Sequence, residues 1–388
     1  MVTSPDRRTS SRLRAATALA LAAALALLVT MPAQAGMSTA ARGPRADVTI
    51  PPVPMPADPV RDTPLDGRLW GVYAGDTEQW YRPWLGSSGT KRQLLDRIAR
   101  QPKSSWFGGW VPTGRIKKTL RSYIKRSQNG DPSVMVQFAV FRIAPWGKGG
   151  ACDKAPSPAW RADYKAWIRN AVEAVGGTPA TIVIQPDSPF ATQCSPKPAL
   201  SLRLIRYATQ QFAALPQTEV YLETGSADWM HDDVQNALDI LVPGGVEYAR
   251  GFAFNGTHYD ATSHNIEFGA RVAQALADRG IPDKHFVVNT AQNGAPFRGY
   301  EWHNSNYPDN APVCRTSDPA QQRLCVTLGI PPTTDVANPA WGLTDEQRRL
   351  AATYVDAYLW FGRPWLKNQA SPFVMARALG LARTTPFQ

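Results

Sequence analysis

One carboxylate in this chain follows a predicted strand so closely that the surrounding residues suggest acid–base chemistry. The segment is Thr181-Ile182-Val183-Ile184-Gln185-Pro186-Asp187-Ser188, in which a β-branched apolar run stops at a proline and Asp187 comes next. Such a run is typical of a buried strand in a parallel sheet. In a β/α barrel the carboxyl ends of the strands carry the active site, so an acid there is positioned for proton transfer. On the local sequence alone, a helix N-cap or turn aspartate is the more common role.

Polar side chains also follow the next three predicted strands. Glu223 comes after the first of them, and Asn255 and Asn289 come after the other two. The carboxyl ends of parallel strands meet at one edge of a sheet, so four polar residues in succession predict a single polar cleft. The alternative is the ordinary polarity of loops, which needs no cleft.

Tryptophans recur in loops and near the predicted strand ends. An indole ring has a flat apolar face on which a sugar can stack, and it buries a large area when it packs in a core. Core packing is the more common role for any one tryptophan, and it is expected for Trp160 and Trp167 on an amphipathic helix. The tryptophans in loop or strand-end positions are Trp229, Trp302, Trp341, Trp360 and Trp365.

Predicted strands and helices alternate along the chain. This order indicates a parallel sheet with crossover helices, and both a barrel and an open doubly wound sheet fit it. A G-x-G-x-x-G motif after a strand and a P-loop are both missing from the sequence, which argues against a nucleotide-binding fold. The predicted strands are 134–141, 181–184, 219–222, 251–254, 286–288 and 357–361, and the predicted helices cover about 160–175, 199–214, 232–241, 264–279 and 344–355.

The beginning of the sequence has the pattern of an export signal. A basic segment precedes an apolar run from Ala15 to Val29, and Ala33-Gln34-Ala35 matches a signal peptidase site. We therefore predict a signal peptide over residues 1–35, cleaved after Ala35, and a secreted, extracellular protein with no membrane association after cleavage. An uncleaved N-terminal anchor is the alternative. Residues 36–66 are rich in proline and predict a disordered linker, which leaves 67–388 as one catalytic domain.

Charge and cysteine content narrow the class of protein further. The 388 residues carry a formal net charge of +11, but the basic residues are dispersed rather than clustered, which argues against nucleic-acid binding. Four cysteines in an exported chain suggest two disulfides, for which three connectivities are possible. We favour Cys152–Cys194 and Cys314–Cys325 because each pair flanks a loop-rich segment. The cysteine and histidine spacings do not match a zinc site, so no metal and no cofactor is expected.

These segments resemble glycoside hydrolase family 6, the inverting β-1,4-glucanases and cellobiohydrolases, over about residues 68 to 388. Each fragment is short, but the fragments share their order and spacing with the family, as do Cys152 and Cys194. The matching segments are Ile184-Gln185-Pro186-Asp187-Ser188 against E-P-D-S, 221–229 against Y-L-D-A-G-H-x-x-W, 286–294 against F-x-x-D-T-S-R-N-G, and 328–333 and 356–360 against the C-terminal blocks.

The resemblance implies an α/β fold, a distorted, TIM-like (β/α) barrel of parallel strands. It implies that Asp187 is the general acid, that Glu223 supports the subsite next to the scissile bond, and that Trp229 stacks on a sugar. The further candidates for substrate binding are Asn255, Asn289, Trp302 and Trp360. The expected partner is β-glucan or a related polysaccharide, and the expected state is a monomer.

The chain departs from the family pattern at several acids. Ala151 stands where the family has the aspartate of R-D-C, and the stretch 362–368 lacks the acids of K-P-P-G-E-S-D-G, where the family's proposed base lies. Gln185 and Ser226 replace a glutamate and a histidine. Inversion needs one protonated carboxyl and one ionised carboxylate. Fewer neighbouring acids weaken the repulsion that would raise the pKa of Asp187, which predicts a poorer proton donor.

Two carboxylates remain as the candidate base or assisting acids, namely Glu223 and Asp153, and a water relay is another route. The first hypothesis is therefore a secreted hydrolase of cellulose-like β-1,4-glucan that acts with inversion. The second is a catalytically impaired carbohydrate-binding protein on the same scaffold, which would use Trp229, Trp302 and the polar strand ends. The third is a hydrolase of another glycan. Linkage, endo or exo action, and the base stay open at this point.

Overall fold

The structure is a computed structural model that describes residues 48–56, 63–145, 150–301 and 311–387. The predicted signal peptide, most of the predicted linker and Trp302 therefore lie outside the described residues. The strands are β1 (Val53–Pro54), β2 (Leu69–Trp70), β3 (Ser105–Gly108), β4 (Val136–Phe141), β5 (Ala180–Ile184), β6 (Thr218–Glu223), β7 (Gly251–Phe254), β8 (His285–Asn289) and β9 (Val355–Leu359).

Seven of these strands form one parallel sheet in the order in which they occur in the sequence, from β3 to β9. This sequential order confirms the α/β prediction and excludes a doubly wound sheet, in which strands are added in both directions. The two outer strands approach each other where Ser104 N donates to Trp360 O at 2.8 Å and Trp106 Nε1 donates to Phe361 O at 2.6 Å. The sheet is thus curved into a distorted barrel.

Helices connect the strands and cover the outer face of the sheet. They are α1 (Tyr81–Leu85), α2 (Gly89–Ala99), α3 (Ile116–Gln128), α4 (Pro158–Val175), α5 (Ser188–Gln193), α6 (Pro198–Ala213), α7 (Val234–Gly244), α8 (Thr262–Ala277), α9 (Asp345–Tyr354) and α10 (Met375–Thr384). Helix α4 begins at a proline preceded by Ser157, whose side chain accepts a hydrogen bond from Trp160 N. Proline fits the first turn of a helix, and the serine oxygen satisfies one of its exposed N–H groups.

Side chains alternate between two faces along each strand, as the two-residue period of a strand requires. One set points into the barrel and forms a narrow inner core. The other set packs against the helices in a larger outer core, so the sheet is covered on both faces. The inner set includes Trp106, Val183, Tyr221, Ala253, Val287 and Ala357, and the outer set includes Phe138, Ile182, Ile184, Leu222, Phe252 and Phe286.

The strands predicted from the sequence agree with the observed ones to within two residues at each end. The elements before residue 134 were not predicted, because β3 is short and ends in glycine and α3 is rich in lysine and arginine. The predicted disulfide pairs, Cys152–Cys194 and Cys314–Cys325, are confirmed. Among the described residues, no helix is both long enough and apolar enough to cross a bilayer.

The prediction of a linker up to residue 66 is wrong for the part that the structure describes. Strand β1 pairs antiparallel with β2, and Ile50, Met55 and Leu65 are buried. These three apolar side chains lie within a proline-rich stretch whose overall composition predicted disorder. Residues 48–56 and 63–66 therefore belong to the packed domain.

Candidate active site

Asp187 lies just beyond the carboxyl end of β5, at the residue before α5. It occupies the N-cap position with a left-handed backbone (φ 62°), but its side chain makes no capping hydrogen bond. Instead its Oδ1 accepts a hydrogen bond from Thr257 Oγ1 at 2.6 Å, from the loop after β7. The carboxyl group is therefore aimed at the cleft side of the strand ends and not at its own helix.

Burial raises the pKa of Asp187 above its ordinary value. The hydrogen bond from Thr257 and the charges of His258 and Arg363 act in the opposite direction and only partly offset burial. The sequence predicted a poorer proton donor because acids are missing nearby. In the structure, desolvation supplies the upward shift that those acids do not.

Glu223 ends β6 and is 1% exposed. Its Oε2 accepts a hydrogen bond from Ser188 N at 3.3 Å, directly after Asp187. Burial, followed by the neighbouring charge of Asp187, raises the pKa of Glu223 well above its ordinary value. The raised pKa favours the protonated form of Glu223, and Glu223 lies next to the start of α5, directly after Asp187.

Asp153 was the other predicted carboxylate of the site. It lies in a turn after Cys152, and its side chain is exposed. The groups that act on the Asp187 carboxyl include Thr257, His258 and Arg363, and Glu223 is coupled to it by charge. These groups come from the end of β6 and from the loops after β7 and β9, and the role of Asp153 stays a prediction.

Asn255 and Asn289 were predicted to bind substrate, and the structure corrects this. Both are fully buried. The Asn255 amide donates to Asp260 O and Asn289 O, both at 3.1 Å, and its oxygen accepts from Asp260 N. The Asn289 oxygen accepts from the backbone of Phe361 and Gly362. With donors and acceptors engaged in this way, the two amides tie the ends of β7, β8 and β9 together beneath the cleft.

Trp360 is also corrected. It is 2% exposed, and its Nε1 donates to Ile330 O at 2.8 Å, so it packs in the core instead of facing a sugar. Trp365 is buried beside it, with ring centroids 6.4 Å apart. Trp341 is partly buried against the outer core, where its Nε1 donates to Asp335 O. All three tryptophans therefore pack in the core, which is the more common role of a tryptophan.

Trp229 is partly exposed in the loop after β6 and has a ring on each side. Phe190 packs against it at a centroid distance of 4.4 Å, and His258 stacks on it at 4.5 Å with an angle of 14° between the planes. An imidazole thus covers one face of Trp229, and its role as a platform for a sugar stays a prediction.

His258 is held by a buried aspartate. Its Nδ1 lies 3.3 Å from Asp228 Oδ1, and Asp228 also accepts hydrogen bonds from Ser226 Oγ and from Gly299 N. Burial acts to raise the pKa of Asp228, but the hydrogen bond and charge of His258, with Ser226 and Gly299, outweigh it and lower the pKa. Asp228 is thus an ionised anchor that fixes the imidazole over Trp229.

A second aromatic ring near Asp187 was missed by the sequence analysis. Trp106 on β3 is 8% exposed, and the Arg363 guanidinium lies 4.1 Å above its ring. Burial lowers the pKa of Arg363 to about 10, against the favourable charges of Glu78 and Asp187. Arg363 therefore remains a cation at neutral pH.

The residues that were missed belong to loops whose role depends on distant parts of the chain. Thr257 and His258 follow Asn255 at the end of β7, where only the first polar residue was considered. Polar residues that follow a strand are candidates for the cleft, so both would have been predicted if the whole loop after β7 had been considered. Arg363 had no comparable signal, because it comes near Asp187 only in the folded barrel.

Three residues at these strand ends have a strained backbone. Gln185, Asp187 and Asn255 all have left-handed backbones, with φ of 53°, 62° and 70°. Such conformations are sparsely populated by residues other than glycine and cluster at functional sites. Among the described residues, no three histidine, cysteine or acidic side chains are grouped to hold a metal ion.

Comparison with known sequences identifies relatives of this chain. Its residues 72–364 match the family model described as glycosyl hydrolases family 6. The chain is 28% identical over 236 residues to Endoglucanase A of Cellulomonas fimi, which is 60% of this chain and 49% of that protein. It is 28% identical over 263 residues to Endoglucanase 1 of Streptomyces halstedii, covering 66% and 79% of the two chains. The matched segment thus spans about half of the first relative.

Solved structures share the fold. The endoglucanase Cel6 from Mycobacterium tuberculosis superposes with a TM-score of 0.62 at 23% identity, over 82% of this chain and 97% of that one. The catalytic core of the cellobiohydrolase Cel6A from Chaetomium thermophilum gives a TM-score of 0.56 at 18% identity, over 80% and 96%. The family match extends over most of the barrel and includes Asp187, Glu223, Trp229 and Arg363. The chain therefore belongs to glycosyl hydrolase family 6.

Proposed function

We propose that this chain is a secreted glycoside hydrolase that cleaves β-1,4-glucan of the cellulose type with inversion, and that Asp187 is its general acid. The observation that carries the proposal is the buried Asp187 carboxyl at the strand ends, with its pKa raised by desolvation. A carboxyl that keeps its proton closer to neutral pH is what protonation of a glycosidic oxygen requires. Membership of the family, whose relatives named above are endoglucanases and a cellobiohydrolase, supports the hydrolase class and the substrate.

The hydrogen bond to Thr257 defines which oxygen donates the proton. Because Oδ1 already accepts the Thr257 hydroxyl proton, the acidic proton of Asp187 resides on Oδ2. As the bond between the anomeric carbon and the glycosidic oxygen breaks, that proton passes to the leaving oxygen. Water attacks the opposite face of the sugar, which inverts the anomeric configuration.

Two rings are available as platforms for neighbouring sugars, and both are covered by a basic side chain. Trp229 lies under His258, and Trp106 lies under Arg363. Stacking of a sugar on either ring requires that side chain to move aside. Among the solved relatives, the Mycobacterium tuberculosis Cel6 endoglucanase is bound to methyl-cellobiosyl-4-deoxy-4-thio-β-D-cellobioside, a ligand of this chemical kind.

Binding without turnover is the second candidate. It is favoured by the environments of the two predicted bases, since burial and the charge of Asp187 raise the pKa of Glu223 and Asp153 lies in an exposed turn. In that case Asp187 would be a hydrogen-bond donor to a bound glycan. Retention of Asp187 with a raised pKa favours the hydrolase.

The test compares the wild-type protein with Asp187→Asn on soluble β-1,4-glucan and mixed-linkage glucan. Reducing ends report turnover, and NMR of the first product reports its anomeric configuration. We expect α-configured product from the wild type and a loss of about 10²- to 10⁴-fold in kcat for the variant. Full activity of the variant would overturn the assignment of Asp187. Glycan binding without turnover by the wild type would favour the second candidate.

Export and the monomeric state belong to the same proposal. The pattern of residues 1–35 supports cleavage after Ala35. N-terminal sequencing of the protein recovered from a culture medium tests this, with Gly36 as the expected first residue. Light scattering of the purified protein tests the monomer.

A further inference from the structure

Trp110 is a tryptophan that the site described above does not use. It is 58% exposed, whereas the other tryptophans of the described part of the chain are buried or half-buried. It lies two residues after Gly108, the last residue of β3, and therefore at the same end of the barrel as Asp187. A single exposed apolar side chain is ordinary in a soluble protein, so the position of this ring decides whether it has a function.

The indole of Trp110 covers the inner side of the end of β3. Trp106 points into the barrel, and the two-residue period of a strand gives Gly108 the same direction. A Cβ atom on Gly108 would lie 2.6 Å from Cζ3 and 2.8 Å from Cη2 of Trp110. The ring therefore folds back over the mouth of the barrel and not over the helices, and the glycine leaves the room that the ring occupies.

Two further rings connect Trp110 with the interior of the barrel. Its ring centroid lies 6.3 Å from that of Phe141, the last residue of β4, and the Phe141 centroid lies 5.2 Å from that of Trp106. Phe141 is half-buried against the inner core, and Trp106 is buried under Arg363. Trp106, Phe141 and Trp110 thus form an aromatic row whose exposure increases from the interior to the rim.

The aromatic row extends along the carboxyl edge of the sheet, away from Asp187. Strand β4 lies between β3 and β5. Gln185 N donates to Val140 O at 2.8 Å, so β4 and β5 stay paired up to their ends. Because adjacent strands are about 4.8 Å apart, Phe141 lies one strand, and Trp110 two strands, from the strand that leads to Asp187. A glucan chain with one sugar unit beside this acid therefore has more distant units within reach of the row.

A fixed polar group borders the aromatic row. Arg142 directly follows Phe141 in the sequence. A Cβ atom on Gly109, in the turn before Trp110, would lie 3.2 Å from Nη1 of Arg142. Nη2 of the same guanidinium donates to Asp163 Oδ2 at 2.5 Å, which holds the group in place. A sugar needs a flat apolar surface for its C–H face and a few oriented polar groups for its hydroxyls, and the end of β3 provides both.

We propose that Trp110 is an outer platform of the cleft, on which a sugar unit of a long β-glucan chain stacks. The substrate class rests on the proposed function, and the platform adds a binding site away from the bond that is cut. A chain long enough to reach Trp110 gains a stacking contact that a shorter chain lacks. The affinity for β-glucan should therefore rise with chain length.

The test measures how affinity depends on the length of the ligand. Calorimetry with cello-oligosaccharides, from the disaccharide to the hexasaccharide, compares Trp110→Ala with its parent, both carrying Asp187→Asn so that the ligand stays intact. We expect Trp110→Ala to bind the hexasaccharide about 3- to 30-fold more weakly, because one face of an indole is lost. The two proteins should bind the disaccharide equally. Trp110→Phe keeps a flat ring and should bind the hexasaccharide with intermediate affinity.

Tyr248→Ala in the same parent is the matched control. Tyr248 is also an exposed aromatic residue (46%), but it precedes β7 and so lies at the opposite end of the barrel from Asp187. We expect Tyr248→Ala to bind every ligand as the parent does. Thermal unfolding reports whether each variant is folded.

Oxidation by N-bromosuccinimide gives a second readout that needs no substitution at Trp110. This reagent oxidises accessible indole rings, and Trp110 is 58% exposed. We expect the hexasaccharide to protect Trp110 from oxidation and the disaccharide to leave it reactive, as measured by peptide mass spectrometry. Protection that follows ligand length locates the outer sugar unit on this ring.

The outcomes separate the platform from the proposed hydrolase. Equal affinity of Trp110→Ala and its parent for every ligand, without protection of Trp110, overturns the platform and leaves the hydrolase in place. Length-dependent binding through Trp110 by a wild-type protein that turns over no glycan supports the platform and overturns the hydrolase. No binding of any β-glucan overturns both.

Two further results are also decisive. If Asp187→Asn still cleaves the ligands, the KM values of the wild type and of Trp110→Ala for the same oligosaccharides replace the Kd values, with the same expected dependence on length. A dimer that light scattering detects for the wild type and not for Trp110→Ala would show that a second copy of this chain covers the ring. That result overturns the sugar site.

Discussion

The imidazole of His258 lies parallel to the indole of Trp229, with ring centroids 4.5 Å apart. The buried Asp228 holds this imidazole through Nδ1, and Phe190 covers another part of the indole. A sugar that stacks on Trp229 from the His258 side must displace the imidazole from this position. We therefore expect His258 to limit the affinity of a sugar for Trp229, beside the proposed general acid Asp187.

Removal of the His258 ring is expected to strengthen sugar binding. His258→Asn keeps an N–H donor for Asp228 but exposes more of Trp229, and an aromatic stacking contact contributes about 0.5–1.5 kcal/mol. Calorimetry with cello-oligosaccharides should show a decrease in Kd of about 2- to 10-fold. His231→Asn is the matched control, since His231 is exposed two residues after Trp229. Weaker binding by His258→Asn would instead mean that the imidazole contacts the sugar.

The hydrogen bond from Thr257 lowers the pKa of Asp187, the proposed general acid. Because it lowers the pKa of Asp187, its loss in Thr257→Val should raise that pKa. Asp187 acts in its protonated form, so the alkaline limb of the kcat–pH profile should move to higher pH. Thr353→Val on the exposed face of α9 serves as the control, because its hydroxyl bonds only its own helix in the described contacts. A shift to lower pH would contradict the assignment of Asp187 as the acid.

The contrast between Asp187 and Asn289 explains how much the sequence could predict. Strand ends were found because each apolar run is bounded by breakers, and parallel strands bring their ends together. That rule identified both residues but not the direction of their side chains. The Asn289 side chain accepts a hydrogen bond from the backbone of the loop after β9. Asp187 has a left-handed backbone, and its side chain makes no capping hydrogen bond to its helix.

The other part of the site depends on long-range packing. His258 and Arg363 act on Asp187 from the loops after β7 and β9. The spacing of residues in the sequence does not predict which loops come together, because that depends on how the barrel closes. Family resemblance did not help here either, because it highlighted the acids that this chain lacks.

The buried Glu223 should make stability depend on pH. Its folded pKa lies well above the ordinary value of 4.5, so folding takes up a proton at any pH between the two values. The contribution of Glu223 to stability is fully present below about pH 4.5 and decreases as the pH rises towards the folded pKa. Urea unfolding at pH 5 and pH 8 should therefore show a smaller decrease for Glu223→Gln than for the wild type. Equal decreases would mean that Glu223 is ionised in the folded protein.

The carboxylate of Asp356 should support stability and not catalysis. It is fully buried on β9, at the opposite end of the barrel from Asp187, and accepts hydrogen bonds from Tyr221 Oη at 2.7 Å and from Arg250 Nε and Nη2 at 2.9 Å. Breaking such a buried ion pair typically costs about 3–5 kcal/mol, because a charge is left without its partner. Asp356→Asn should lower the free energy of unfolding by that amount and leave kcat unchanged at a temperature where the variant is folded. Asp345→Asn, at the exposed start of α9, should leave stability unchanged. A lower kcat for folded Asp356→Asn would show that this end of the barrel communicates with the acid.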